Sequence, residues 1–281
     1  MTYNIVCDSS CDLQSTVLQP GRINLEVVPL RIIVGEQEHI DNAELDIPAL
    51  LEEMAVEKSA SGTACPSPAA FAQAFASADC SICFTISGNL SGTYNAAVLG
   101  RGMVLEEYPE KKVCIIDSRS TSGAMALLVR KAQALLSAEE EPDFEAVCEQ
   151  LRTYQASQRT VFTLECFDNL IKNGRMRPLV GNLLHTLGIH VIAFATPEGT
   201  IQVTGKARGE VKTYQAIIEW MKKNKDCTGA EVVIANCENL TGALRLKELI
   251  LKDLPVKDVT IISCRGLTTF YAMRNGLIIS F

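Results

Sequence analysis

Histidine and tryptophan are scarce in this chain of 281 residues, with three and one copies, and aromatic residues make up only 6% of it. His39, His185 and His190 are the whole supply of imidazole, and none falls in the serine-rich loops discussed below. A Ser-His-Asp relay and a histidine-rich metal site are therefore not expected, and the three read as surface or packing residues. A basic excess is missing too: 26 Lys+Arg stand against 33 Asp+Glu, a net charge of -7. That provides no footprint for a polyphosphate backbone, so nucleic acid is not an expected partner. Long apolar runs are lacking. One of the longest, Leu187 to Ala195, is interrupted by His190 and falls far short of the roughly 20 residues a membrane helix needs. No transmembrane segment is expected. Met1 to Val6 lacks a basic stretch leading into an apolar core, which reads as no signal peptide and makes the cytoplasm the expected address.

What is present points to a globular protein. Hydrophobic residues form 47% of the chain and charged residues 21%, enough to bury a substantial core. Its length exceeds the usual size for one core, so two packed lobes are expected. Cysteine is plentiful, but its count of 11 is odd, and Cys83, Cys114, Cys237 and Cys264 sit in apolar runs where a reduced thiol packs as a small hydrophobe. Cys80-Ser81-Ile82-Cys83 has the spacing of a redox motif or half a zinc site, yet no second such pair exists. Its setting reads as a strand, where a separation of three puts the thiols on opposite faces. The pair is taken as structural.

The first half repeats one pattern. Short apolar strands are expected at Tyr3 to Cys7, Ile82 to Ile86 and Val113 to Ile116, each followed by a polar loop and a helical period. Helices are expected at Tyr94 to Glu107, Gly123 to Leu136 and Phe144 to Ala156. Apolar strands alternating with helices predict a mainly parallel, Rossmann-like α/β sheet covered on both faces. Near Ser157 the period changes, so an N-terminal lobe is drawn over 1–158 and a C-terminal α/β lobe over 159–281. The second lobe is expected to hold strands at Thr160 to Leu164, Ile189 to Ala195, Thr200 to Thr204, Val232 to Asn236 and Val259 to Ser263. Helices are expected there at Phe167 to Lys172 and Val211 to Lys223, with a turn at Pro197-Glu198-Gly199. No repeat or low-complexity tract appears.

The loops after the first three strands share a composition: Asp8-Ser9-Ser10, Ser87-Gly88-Asn89-Leu90-Ser91-Gly92-Thr93, and Asp117-Ser118-Arg119-Ser120-Thr121-Ser122-Gly123. In an open parallel sheet such loops gather at the carboxyl edge, where ligands bind. Two of them run straight into helices, so exposed amides and the helix dipole would favour a negative group. Helix capping alone is the simpler role for any one loop, but three together indicate a binding crevice. Nucleotide fingerprints fail: Gly100-Arg101-Gly102 lacks the third glycine, and Gly199 to Ala207 has the wrong spacing and no hydroxyl for a phosphate-binding loop. A nucleophile elbow would need glycine where Asn89 stands.

At this point the residues resemble the bacterial DegV family. Asp8-Ser9-Ser10-Cys11-Asp12-Leu13 is similar to its opening motif, and Val28-Pro29-Leu30 followed by Asp41 to its next segment. Thr63-Ala64-Cys65-Pro66-Ser67 resembles its Thr-Ser-Gln-Pro-Ser loop with the threonine kept, and Ile86 to Tyr94 resembles its most specific stretch. Ile116-Asp117-Ser118 with Ser122-Gly123 fits its third loop, and Asn173-Gly174-Arg175-Met176 its Gly-Gly-Arg-Ile segment. The resemblance implies a two-lobed α/β protein that holds one long-chain fatty acid between its lobes, with no cofactor and no catalysis of its own. It also implies service as the binding subunit of a fatty acid kinase, presenting the acyl carboxylate to a separate ATP-binding subunit similar to dihydroxyacetone kinases. Thr63 and Ser91 would donate to the carboxylate. Ser9, Ser10, Ser87, Gly92, Thr93 and Ser118 complete the candidate ligand loops.

One segment departs from the family. Its His-Thr-Gly-Pro-Gly motif, whose histidine also reaches the carboxyl group, is replaced by Phe270-Tyr271-Ala272-Met273-Arg274-Asn275-Gly276. If Gly276 matches the first glycine, Arg274 stands at the histidine position, and a guanidinium there would suit a carboxylate. A shift of one gap puts Ala272 there instead. A long acyl chain suits a crevice between apolar lobes: about fifteen methylenes at about 0.8 kcal/mol each give on the order of 12 kcal/mol before ordering costs. The tail would supply affinity and the head orientation. The rival reading is a hydrolase or transferase acting on an ester or phosphate in the serine-rich crevice, and it lacks a base near Ser91.

Overall fold

The computed structural model describes residues 1–177 and 188–281. Its elements in chain order are β1 (Tyr3–Asp8), a 3-10 turn (Ser9–Cys11), β2 (Thr16–Gln19), β3 (Ile23–Val28), β4 (Arg31–Val34), β5 (Gln37–Ile40), α1 (Ile47–Val56), β6 (Gly62–Ala64), α2 (Pro68–Ala76), β7 (Cys80–Thr85), α3 (Thr93–Glu107), β8 (Lys112–Asp117), α4 (Gly123–Ser137) and α5 (Phe144–Ser157). There follow β9 (Thr160–Leu164), α6 (Asp168–Lys172), β10 (Ile189–Ala195), β11 (Ile201–Arg208), α7 (Glu210–Asn224), β12 (Glu231–Asn236), α8 (Leu240–Asp253), β13 (Asp258–Ser263), α9 (Gly266–Ala272) and β14 (Leu277–Ser280). His185 and the first residue of the Leu187 to Ala195 stretch lie outside the described residues.

The molecule is a two-lobed α/β protein. The first sheet runs β2-β3-β1-β7-β8, with β3, β1, β7 and β8 parallel and only β2 antiparallel. Every residue of β1 and β7 is buried, as expected of central strands covered by helices on both faces. Cys80 and Cys83 face different cores, on opposite sides of β7. All eleven cysteines are free thiols. The second sheet runs β11-β10-β9-β14-β12-β13, and only β12 and β13 pair in parallel. The strand read as Thr200 to Thr204 extends to Arg208, because β11 forms an antiparallel hairpin with β10, and its half-buried residues alternate with exposed ones.

The lobes interlock. A small sheet, β5-β4-β6, precedes α2 in the chain, yet Ile32, Val34 and Leu50 share a core with Phe270 of α9. Helix α4 lies against both large sheets: a Cβ on Gly123 would meet Val233 Cγ1 at 3.0 Å and Ser280 Oγ at 3.2 Å. Caps fix several helix starts, with Asp46, Ser67 and Asp143 accepting first-turn amides of α1, α2 and α5. The start of α9 is held by a buried carboxylate, since Asp41 accepts the amides of Gly266 and Leu267, both at 2.8 Å. Gly266 has to be glycine there, because a Cβ would sit 2.6 Å from Asp41 Oδ1 and 2.5 Å from Leu45 Cδ2.

Candidate functional site

The carboxyl edge of the first sheet faces the second lobe across a cavity whose unfilled space, counting its open mouth, is about 820 Å³. One wall comes from the ends of the parallel strands: Leu30 after β3, Ile86 after β7, and Arg119, Ser120 and Thr121 after β8. The opposite wall comes from Phe162 and Leu164 of β9, Ile278 of β14, and Leu267 and Ala272 of α9. Aliphatic and aromatic side chains make up the opposite wall, and among the described residues the lining holds two cations, Arg119 and Arg175, and no carboxylate.

Polar groups gather where Thr63, Ser91, Arg175 and Tyr271 line the cavity. The hydroxyls of Thr63 and Tyr271 are 2.9 Å apart, joining β6 to α9. Arg175 Nε donates to the carbonyl of Leu90 at 3.1 Å, which sets the guanidinium beside Ser91. Asn173, two residues before Arg175, lies against Gly62, next to Thr63: its Oδ1 is 3.3 Å from where a Gly62 Cβ would be. Two hydroxyls in contact with further donors and one guanidinium therefore share one end of the cavity. Ser91 Oγ is 2.8 Å from Thr93 Oγ1 and accepts the Thr93 amide at 3.3 Å, so it helps cap α3 and lines the cavity as well. Among the described residues no imidazole or carboxylate hydrogen-bonds to Ser91.

Three other hydroxyls lining the cavity, those of Ser120, Thr121 and Thr160, are turned to structural use. Ser120 Oγ donates to Thr160 Oγ1 at 2.9 Å, Thr160 lies 3.0 Å from Ser280 Oγ, and Thr121 Oγ1 donates to the Ser10 carbonyl at 3.2 Å. That chain of bonds ties the β8 loop to the second sheet.

The serine loops do assemble at the sheet edge, but most of their hydroxyls hold the loops together instead of facing the cavity. Ser9 Oγ accepts the Leu30 amide at 3.0 Å, and Ser10 Oγ donates to Asp8 Oδ1. Ser87 Oγ donates to the Gly199 carbonyl at 2.6 Å across the lobes, and Ser118 Oγ donates to the Ser120 carbonyl at 3.0 Å. Gly92 precedes α3 with the sulfur of Cys65 beside it, and Thr93 is buried behind Ser91. Of the candidate ligand residues Ser9, Ser10, Ser87, Ser91, Gly92, Thr93 and Ser118, Ser91 lines the cavity, together with Thr63 from the small sheet.

Arg274 is corrected by the structure. Its guanidinium is half exposed and pairs with Glu238 Oε2 at 2.9 Å, away from the cavity lining. Met273 and Asn275 adopt φ of 56° and 67°, the left-handed region that favours glycine. Tyr271, two residues before Met273, lines the cavity where Arg274 does not, with its hydroxyl against Thr63. Ala272 also lines the cavity, but it offers only a methyl group.

Beneath the cavity lie three buried carboxylates. Burial pushes Asp8 up to about 6, against the opposing pull of the Ser10 hydroxyl and the Ile86 amide. It pushes Asp12 up to about 7, although Asp12 accepts from the Ser122 hydroxyl and the Arg265 amide. Asp41 is raised for the same reason. They brace the β1 loop, α4 and α9, which carries Tyr271.

Fold and site together define a two-lobed α/β protein with a cavity between its two large sheets. A family model described as "Uncharacterised protein, DegV family" matches residues 2–273. A DegV domain-containing protein of Streptococcus gordonii is 36% identical over 281 residues, covering 100% of this chain and 99% of that protein. The chain belongs to the DegV family. Among solved structures, the Streptococcus pneumoniae fatty acid kinase (Fak) B3 protein loaded with linoleic acid superposes with a TM-score of 0.94 at 36% identity, covering 100% of this chain and 99% of that one. A DegV family protein from Eubacterium eligens loaded with heptadecanoic acid gives a TM-score of 0.92 at 32% identity, with 99% of each chain covered. No helix among the described residues is long and apolar enough to cross a membrane.

Proposed function

We propose that this protein binds one long-chain fatty acid, with its carboxylate at Thr63, Ser91, Tyr271 and Arg175 and its acyl chain along the apolar cavity. The observation that carries the reading is the segregation of the cavity: hydroxyls and a guanidinium at one end, aliphatic walls beyond them. A buried carboxylate without such partners would cost several kcal/mol, so the polar end orients the ligand while methylene burial supplies affinity. Two relatives of similar fold were solved with C17 and C18 acids bound, which supports the same ligand class here. The kinship with a fatty acid kinase B protein supports a second step. In it, this chain presents the carboxylate to a separate ATP-binding kinase subunit and performs no chemistry itself. Ser91, to which no imidazole or carboxylate among the described residues hydrogen-bonds, fits that division and disfavours an ester or phosphate hydrolase.

The test is native mass spectrometry of the purified, then delipidated and reloaded, protein. One bound acid per chain is expected, and no acyl adduct should survive denaturation. A protein that neither retains nor takes up fatty acid overturns the proposal. Acyl phosphate should form only when MgATP and a dihydroxyacetone-kinase-like subunit are both added.

A further inference from the structure

Away from the lipid cavity, α4, α5, the start of β12 and the chain end enclose a groove of about 990 Å³. It shares no lining residue with the lipid cavity, so its role stands or falls independently of the fatty acid reading. Arg130, Lys131, Lys225 and Lys257 line it against one acid, Glu231, a local balance of +3 in a chain whose net charge is -7. Lys257 pairs with Glu231 at 2.7 Å. Among the described residues no carboxylate pairs with the other three cations. Arg130 spends one N-H on Thr260 Oγ1 at 3.0 Å and keeps the rest of its fork. Lys131 and Lys225 rest over the rings of Tyr154 and Phe281, at 5.8 and 5.6 Å from the centroids.

Lys225 is partly withdrawn from water, and burial together with the neighbouring Arg159 pulls its pKa down. A half-buried ammonium without an anion is costly to keep, and a bound anion would remove that cost. Two flexible point charges and a planar fork converging on one hollow suit a tetrahedral oxyanion with two negative charges more than a flat single carboxylate.

The geometry points to a second ligand site in this groove, for a small phosphate-bearing dianion held by Arg130, Lys131 and Lys225. The probe is pyrophosphate, titrated calorimetrically into the full chain at an ionic strength of about 0.15 M, where loosely placed surface charges are screened. One saturable site is expected. Lys131→Ala and Lys225→Met should each weaken it at least tenfold, while fatty acid loading is unchanged. Lys223→Ala, at an exposed cation on α7 outside the groove, should bind as the parent does. Absence of saturable binding overturns the assignment, as does an equal loss in Lys223→Ala or full binding in both groove variants. Sulfate, also a tetrahedral dianion, should compete with pyrophosphate and acetate should not; acetate competing as well as sulfate would overturn the assignment. If Lys225→Met fails to fold, Lys131→Ala decides alone, since alanine suits its helical position.

Discussion

The hydroxyl of Tyr271 lies 2.9 Å from the hydroxyl of Thr63, joining residues 208 positions apart in sequence, one on α9 and one on β6 of the small sheet. An incoming carboxylate at this end of the cavity would meet both. If the pair acts as a two-hydroxyl clamp, Tyr271→Phe and Thr63→Val should each weaken fatty acid binding by about 1 to 3 kcal/mol, with thermal stability of the free protein nearly unchanged. The double variant should lose less than the sum, because each hydroxyl also partners the other. Fluorescent fatty acid displacement gives the affinities. Additive losses, or losses equally large for the matching fatty alcohol, would mean that packing and not carboxylate recognition had been disturbed.

Two arginines near the same motifs separate position from charge. Arg175 lines the cavity and is braced by Leu90, whereas Arg274 is half exposed and tied to Glu238. Arg175→Gln should release fatty acid at least tenfold more readily. Arg274→Gln should leave binding within about twofold and stability within about 1 kcal/mol, the range of an exposed ion pair. Parallel effects of the two substitutions in the same displacement assay would contradict this placement.

Much of this was legible in the chain itself, and the failures have physical causes. The apolar runs of β1, β7 and β8 announce buried parallel strands, and their serine loops announce the sheet edge. A hydroxyl's direction is not written in composition: Ser9, Ser87 and Ser118 turn to backbone partners that only the folded chain supplies, and Ser10 turns to the Asp8 carboxylate. The small sheet β5-β4-β6 stayed hidden because its strands are only three or four residues long and gain their core from Phe270, more than 200 residues later. Arg274 entered the candidate site through the position of Gly276 alone, and the chain does not spell out that its guanidinium turns to Glu238. Arg175 was visible in its motif; its approach to Leu90 was not.

The buried carboxylates make stability depend on pH. Asp12 titrates near 7 in the native state against an ordinary value near 4, so between about pH 4 and pH 7 the folded protein holds a proton that the unfolded chain has released. Stability from this group therefore falls as pH rises through that window, by at most about 1.4 kcal/mol per pH unit. Asp8, near 6, acts in the same direction over a narrower range. Asp12→Asn keeps an acceptor for the Arg265 amide and removes the titration, so its urea midpoint should change less steeply than the parent's between pH 5 and pH 7. All other ionising groups are common to both proteins and cancel in the comparison. Superimposable pH profiles would show that Asp12 is not desolvated as its burial indicates.

The last prediction contrasts two glycines. Gly266 opens α9, the helix that carries Tyr271, and an added Cβ would stand 2.5 Å from Leu45 Cδ2, 2.6 Å from Asp41 Oδ1 and 2.7 Å from Ile32 Cδ1. The helix would have to move away from the small sheet, or Asp41 would have to surrender the amides of Gly266 and Leu267. Gly266→Ala should therefore cost about 1 to 3 kcal/mol and should also weaken fatty acid binding, because the Tyr271 hydroxyl leaves Thr63 as α9 shifts. Gly102, exposed within α3, has nothing within 4 Å of an added Cβ, so Gly102→Ala should stabilise by about 0.5 to 1 kcal/mol through helix propensity alone and leave binding untouched. Urea unfolding and ligand displacement on the two variants provide the four readouts. A Gly266→Ala protein with lowered stability but full affinity would mean that the seat of α9 is independent of the Tyr271–Thr63 contact, and the clamp would then owe its geometry to β6 alone.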